Sequence, residues 1–253
     1  MADIIACFKW VIDEAYLKSD SSGKLDFNWV DYKLSDYDKN AIEEAVRLAE
    51  QKGGKVTAVT VGTPEDTKGV KDALARGASE AVFINDGSFV NLEPSQTAAL
   101  LADVIGRLKF DLIICGEGSS DLYAQQVGPR LAERLEIPCI SYVTRISLED
   151  DFIKAERKME NGIEVVVAPL PALITVSPQI NTPRIPGLKD TLAASKKPVT
   201  EVTAAELTCS NEPLLKTVSI NKAAMQRNCS YFNSDEDGIV QLVNALQKQG
   251  AIN

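Results

Sequence analysis

Four short apolar runs alternate with amphipathic stretches along the first half of the chain, and this alternation limits the fold more than any other feature. The runs are Ile4 to Ile12, Val56 to Val61, Ala81 to Ile84 and Leu112 to Cys115. Each is rich in β-branched and apolar residues and too short for a core helix, so each reads as a buried parallel strand. Between them apolar residues recur at helical spacing: Ile42, Ala45, Val46 and Ala49; Val70, Ala73, Leu74 and Gly77; Ala98, Leu101, Ala102, Ile105 and Leu108. Each set gives one apolar stripe on one helix face. Strand and helix alternating in this way predict an α/β class, a Rossmann-like open, mostly parallel sheet with right-handed crossovers and helices on both faces. Ser35 or Asp36, Thr63-Pro64-Glu65 and Asn91 to Ser95 supply helix starts, while Gly53-Gly54 and Gly77 supply stops.

Beyond Pro138 the pattern changes to alternation over several strands, with Glu149-Asp150-Asp151 and Asn161-Gly162 as turns, which predicts an added β-hairpin extending the sheet. The stretch from about 178 to 198 carries Pro178, Pro183, Pro186 and Pro198 and little periodicity, so it is expected to be an exposed, ordered loop. These features suggest one domain over residues 1–200. The tail 201–253 has a weak apolar segment around Val218 and an amphipathic set, Ile239, Leu242, Val243 and Leu246. It is too sparse to form its own core, so it is expected to extend as an arm that docks on this domain or on a partner.

Composition narrows the function. A net charge of −9 opposes binding to nucleic acid, which needs a basic surface. Five scattered cysteines without a C-x-x-C suggest reduced thiols. The start lacks the basic and long apolar segments of a signal peptide, and no run is long enough to span a bilayer, so a cytoplasmic protein without a membrane span is expected. The absence of histidine removes the commonest general base and imidazole metal ligation. Any chemistry is therefore expected from a bound cofactor, with no catalytic residue and no metal site in the chain.

In an open α/β sheet ligands sit beyond the carboxyl ends of the strands. The loop Gly116-Glu117-Gly118-Ser119-Ser120-Asp121 lies there, where glycine backbone, two hydroxyls and a following helix start could hold an anion. Gln125 and Gln126 add uncharged amides, and Val127, Leu131 and Leu135 form the helix's apolar stripe. The same residues would also serve a plain βα connection, since neither G-x-G-x-x-G nor the P-loop pattern is present. Ser35-Asp36-Tyr37-Asp38 can line a ligand or simply cap a helix. Asp13 and Glu14 read as solvated carboxylates, Cys7 and Cys115 as small buried hydrophobes, and Trp10 and Trp29 as packing residues.

Three stretches together resemble the beta subunit of the electron-transfer flavoproteins. The first is "AERKMENGIEVVVAPLPALITV", Ala155 to Val176, similar to the family's basic-acidic-Gly-x-Glu hairpin followed by a proline and an apolar strand. The second is "FKWVIDE" with "NAIEEAVRLAE" after it, and the third is "DLYAQQVGP", in the register of the family's nucleotide loop. "GSSDLYAQQVG" most resembles the Fix-type branch associated with carnitine and crotonobetaine reduction. The resemblance implies an electron carrier rather than a stand-alone enzyme. Such a carrier would pair with an alpha subunit holding a redox FAD and move electrons between an acyl-CoA dehydrogenase or reductase and another redox partner. It also implies an adenine nucleotide in this subunit, AMP in simple members and FAD in members that split the electron pair of NADH. The implied contacts are Cys7, Ser35, Asp36, Tyr37, Asp38, Val61, Asp121, Leu122, Tyr123, Ala124, Gln125, Gln126, Val127 and Gly128. Leu122-Tyr123-Ala124 stand where electron-splitting members keep Gly-Asp-Thr. Leu188 matches the leucine of a partner-recognition loop, and the tail resembles the arm that wraps the alpha subunit. Two rivals use a similar sheet. One is a stand-alone ATP-binding protein of the universal-stress type. The other is a nucleotide-alpha-hydrolase-type enzyme, whose Ser-Gly-Gly-x-Asp-like loop is missing after the first strand.

Overall fold

The computed structural model describes residues 2–20, 23–28, 30–209, 212–213, 215–220 and 229–252. The chain divides into two compact units, Met1–Lys18 with Asp26–Ser219, and Ser19–Leu25 with Ile220–Asn253. Trp29 and part of the expected arm lie outside the described residues.

In the first unit, β1 (Ala2–Cys7) and β2 (Trp10–Ile12) take up the first apolar run. That run was expected as one strand. It is two, because the chain turns at Phe8-Lys9 and β2 pairs antiparallel with β5 (Tyr32–Leu34) in a separate two-stranded sheet. The two-residue strands β3 (Lys18–Ser19) and β4 (Leu25–Asp26) lie between them in sequence. Then follow α1 (Asp36–Lys52), β6 (Gly54–Gly62), α2 (Thr67–Ala75), β7 (Glu80–Asn85), α3 (Pro94–Ile105), β8 (Leu112–Gly116) and α4 (Val127–Arg134). β9 (Cys139–Leu148), β10 (Phe152–Met159) and β11 (Gly162–Pro169) form an antiparallel meander, and β12 (Ala172–Val176) follows it. A short helix α5 (Leu188–Ala194) and a last strand β13 (Val199–Val202) complete the unit.

Nine strands form one sheet in the order β11-β10-β9-β12-β8-β1-β6-β7-β13. Only β10 runs against its neighbours. Apolar side chains alternate between two cores. Ile4, Ala6 and Ile114 face the side that also buries Ile42, Ala45 and Val46 of α1 and Val70, Ala73 and Leu74 of α2. Ile5, Cys7, Ile113 and Cys115 face the side of Leu101 and Ile105 from α3 and Leu131 from α4. Burial on both faces explains why these strands read as continuous apolar runs, since each fully buried isoleucine contributes roughly 1.5–3 kcal/mol. The fold class is the expected one: α/β, Rossmann-like, mostly parallel, with helices on both faces and an added hairpin, β10–β11. The boundary expected after residue 200 falls inside β13, whose Val199–Val202 pair with Ala81–Ile84 of β7.

In the second unit, α6 (Glu236–Lys248) forms where the amphipathic set predicts a helix. The Asp235 carboxylate caps it by accepting the Gly238 N–H at 2.7 Å. Ile239, Val240, Leu242 and Val243 are exposed on it.

Candidate functional site

β1 lies between β6 and β8, and the chain leaves β1 toward β6 but leaves β8 toward β12 and β9. The carboxyl ends of β1 and β8 therefore border the crevice where the strand order reverses, the place at which open α/β sheets take ligands. Two segments meet there, the start of α1 and the connection from β8 to α4.

Their contact is made by short polar side chains. Asp38, buried in the first turn of α1, accepts the Lys9 N–H at 2.9 Å and the Gly116 N–H at 3.2 Å. Ser35, fully buried, accepts the Ser120 N–H on its Oγ at 3.3 Å. Ser120 Oγ in turn accepts the Asp36 N–H at 3.4 Å. Lys9 Nζ pairs with Asp121 at 2.6 Å, and the Tyr123 hydroxyl donates to Glu117 at 2.6 Å. The rings of Tyr37 and Tyr123 lie 5.1 Å apart between centroids, tilted by 38°. Tyr123 and Gln125 have φ of +47° and +57°, a left-handed backbone that non-glycine residues adopt at a cost and that clusters at ligand sites. A cavity of about 340 Å³ results, lined by Glu14, Asp36, Tyr37, Asn40, Ser119, Ser120, Tyr123 and Pro178.

The electrostatics are uneven. Burial pushes the Asp38 carboxyl up to about 7, although the N–H groups of Lys9 and Gly116, the Ser35 hydroxyl and the Lys9 charge all oppose it. For Asp36 burial also raises the value, but the Lys39 and Lys33 ammoniums outweigh it and leave the carboxyl below its usual range. Burial and the Lys9 ammonium compete in the same way at Asp121, with the same net result. The hydrogen bond to Glu117, then burial, pushes the Tyr123 phenol up and keeps it neutral. Its bond with Cys7, together with burial, raises the Cys115 thiol well above normal, as suits a packing residue rather than a nucleophile.

The structure brings together Ser35, Asp36, Tyr37, Asp38, Asp121 and Tyr123, with Cys7 close behind on β1. Of the remaining sequence candidates, Val61 is near the end of β6, and Leu122, Ala124, Gln125, Gln126, Val127 and Gly128 lie outside the cavity lining. Leu122 is exposed. Gln126 stands at the N-cap of α4, where its Oε1 accepts Arg130 Nε at 3.1 Å. Gly128 is required for packing, since a Cβ there would meet Thr175 Cγ2 at 2.5 Å. Sequence reasoning missed Lys9, Asn40 and Pro178 as parts of the site. Asn40 reads as an ordinary helix position, and only its bonds to Asn181, at 2.9 Å, show that the segment after β12 returns to the crevice. Asp13 and Glu14, expected to be solvated, both pair with Lys33, at 3.5 and 2.9 Å.

The segment expected as an exposed, ordered loop contains α5 and is fastened along its length. Arg184 reaches Glu43 at 2.8 Å and Glu50 at 3.0 Å, so it points onto α1. Lys197 Nζ donates to the carbonyls of Leu74 and Ala78 at the end of α2. Ala194 is buried, whereas Ile185, Leu188 and Leu192 are 91, 78 and 63% exposed, a row of apolar side chains on a fixed support.

The electron transfer flavoprotein domain family matches residues 24–207, well over half of the chain. The chain belongs to this family. The match takes in the start of α1, the loop after β8, the meander and the segment that bears α5, while β1, β2 and Glu14 lie before it. Among solved structures, the DNA/pantothenate metabolism flavoprotein from Streptococcus pneumoniae aligns at 9% identity over 66% of this chain and 91% of that one, with a TM-score of 0.22. That likeness is too loose to carry an argument about the site. Among the described residues no helix is long and apolar enough to cross a membrane.

Proposed function

We propose that the chain is the beta subunit of a heterodimeric electron-transfer flavoprotein of the Fix type, a cytoplasmic carrier between an acyl-CoA dehydrogenase or reductase and a second redox partner. An alpha subunit would hold the main FAD, and this subunit an adenine nucleotide, AMP or FAD. The observation that carries the reading is the cavity at the strand-order reversal, in a chain of this family, walled by the two segments that the sequence selects. Its volume falls within the range of about 300–1,000 Å³ usual for small-molecule sites.

The residues suit the parts of such a ligand unequally. Tyr37 and Tyr123 offer aromatic surface for a purine, while Asp36 offers acceptors for ribose hydroxyls. The acidic rim disfavours a phosphate within the cavity. The first turn of α4, with the N–H groups of Val127 and Gly128 free of intrahelical partners, favours one beside it. Where the ligand is FAD, its flavin would supply the electron-carrying chemistry, and Asp36, Tyr37 and Tyr123 would hold and orient it. Ile185, Leu188 and Leu192 would dock the dehydrogenase, and the arm with α6 would wrap the alpha subunit, burying the apolar side chains that are exposed on it.

Purification and denaturing release of cofactors test this. A yellow one-to-one complex carrying two FAD, or one FAD and one AMP, supports the reading, and the count decides between the two nucleotides. A colourless homodimer that binds ATP overturns it in favour of a universal-stress-type protein.

A further inference from the structure

Asp38 is 7% exposed and is not among the residues lining the cavity, although its neighbours Asp36 and Tyr37 are. Its oxygens are engaged elsewhere, Oδ2 by the Lys9 N–H at 2.9 Å and Oδ1 by the Gly116 N–H at 3.2 Å, and the Ser35 hydroxyl bonds it too. Lys9 follows β1 and Gly116 ends β8, so a single side chain from α1 ties the two strand ends that border the crevice. Ser35 extends the tie to Ser120, and Lys9 extends it to Asp121. A Cβ at position 116 would lie 2.5 Å from Asp38 Oδ1, so the glycine makes room for this carboxylate.

We infer that Asp38 is a positioning residue for the nucleotide site: as an anion it holds Lys9, Gly116 and, through Ser35, Ser120 in the arrangement that forms the cavity, without touching the ligand. This rests on the nucleotide-binding reading above. Two backbone donors converge on one carboxylate, so replacing it by a carboxamide sets an N–H against one of them, and protonating it sets an O–H there. Burial brings that protonation within reach by raising the carboxyl to about 7. The charged and titratable groups around it do not take its place. The Lys9 ammonium is paired with Asp121, the Cys115 thiol on β8 is neutral and bonded to Cys7 on β1, Glu117 is bonded to Tyr123, and Asp36 on the same helix is paired with Lys33 and Lys39.

The test is equilibrium binding of AMP to the full chain, freed of co-purified nucleotide, between about pH 5.5 and 8.5. It runs beside amide exchange at Gly116 and Ser120, corrected for intrinsic pH dependence. Asp38→Asn is expected to weaken AMP binding about tenfold at the alkaline end and to speed exchange at both amides. Wild-type affinity should fall as the pH drops through about 7, while the variant keeps only the dependence from the ligand's own phosphate. Ser35→Ala should speed exchange at Ser120 and leave Gly116 protected. Unchanged affinity and exchange in Asp38→Asn overturn the inference and leave the nucleotide reading intact. If that variant does not fold, Ser35→Ala decides, and unchanged Ser120 exchange overturns the tie. A wild-type chain that binds neither AMP nor FAD overturns the nucleotide reading itself, and the role assigned to Asp38 falls with it.

Discussion

Replacing Gly128 by alanine sets two effects of known size against each other. Gly128 is the second residue of α4, and a Cβ there would stand 2.5 Å from Thr175 Cγ2, 3.6 Å from Leu173 Cδ2 and 3.8 Å from Cys115 Cβ. Favourable carbon–carbon contact lies at about 3.5–4.0 Å, so only the threonine methyl obstructs it. That methyl cannot swing away freely, because Thr175 is 3% exposed and its Oγ1 accepts the Tyr142 N–H at 3.2 Å. Overpacking of this kind costs roughly 1–3 kcal/mol. Alanine's higher helix propensity returns at most about 1 kcal/mol, and less in a first turn. Gly128→Ala should therefore destabilise by about 1–2 kcal/mol. Thr175→Ser removes the obstructing methyl, keeps the hydroxyl and costs about 1 kcal/mol by itself. In that background Gly128→Ala should become neutral or stabilising. Urea midpoints and slopes for the wild type, the two single variants and the double variant measure the coupling. If Gly128→Ala is equally destabilising in both backgrounds, the glycine is not there to bring α4 against β12, and the packing argument fails.

Other outcomes follow from the same geometry. Leu188→Ala should slow electron transfer with the partner dehydrogenase about fivefold or more while leaving flavin content unchanged, since an exposed anchor contributes on docking. Loss of flavin in that variant would mean that the segment is structural. Glu43→Ala should lower stability in urea by roughly 1–3 kcal/mol, because it strips acceptors from the Arg184 N–H and guanidinium on a buried side of α1. An unchanged midpoint would show that Glu50 suffices to hold the segment. At Asp103 burial raises the carboxyl, but the Arg107 guanidinium and the N–H groups of Thr208 and Cys209 outweigh it and hold the value well below the usual range. Its folded value thus lies under the unfolded value of about 3.9, so its contribution is complete above that pH and is lost as the pH falls through the folded value. Asp103→Asn should flatten the acid limb of the stability curve and speed amide exchange at Thr208 and Cys209.

The parallel sheet was legible because burial on both faces keeps the centres of β6, β7 and β8 mainly apolar, and the helical spacing between them is unambiguous. The turn inside the first apolar run was not, since Phe8-Lys9 carries no glycine or proline. It is fixed by distant partners instead: the Phe8 carbonyl accepts Thr60 Oγ1 at 2.6 Å, and the Lys9 N–H is held by Asp38. The helix α5 was hidden for a related reason. Three prolines precede it and mark a break, but its start is set by Asp190, whose carboxylate accepts the Gly187 N–H at 2.8 Å, and its position by its own buried last residue, Ala194. Local patterns carry elements that are amphipathic by themselves; elements held by single long-range polar bonds leave no periodic trace.

The same distinction orders the site. From the sequence, Leu122-Tyr123-Ala124 are the residues that depart from electron-splitting members, and they look like the place where AMP and FAD are told apart. In the fold only Tyr123 of the three lines the cavity, packed at a tilt against Tyr37 and bonded to Glu117, while Leu122 is exposed. Selection by direct contact would therefore fall on Tyr123, whose ring takes up room at the cavity wall and whose left-handed backbone is held by the Ser119 carbonyl at 2.9 Å. Tyr123→Ala should then enlarge the cavity and shift nucleotide content toward FAD, whereas Leu122→Ala should leave it unchanged. Measured FAD and AMP contents of the two variants decide this: a shift in Leu122→Ala alone would place the discrimination on a surface that a partner subunit covers.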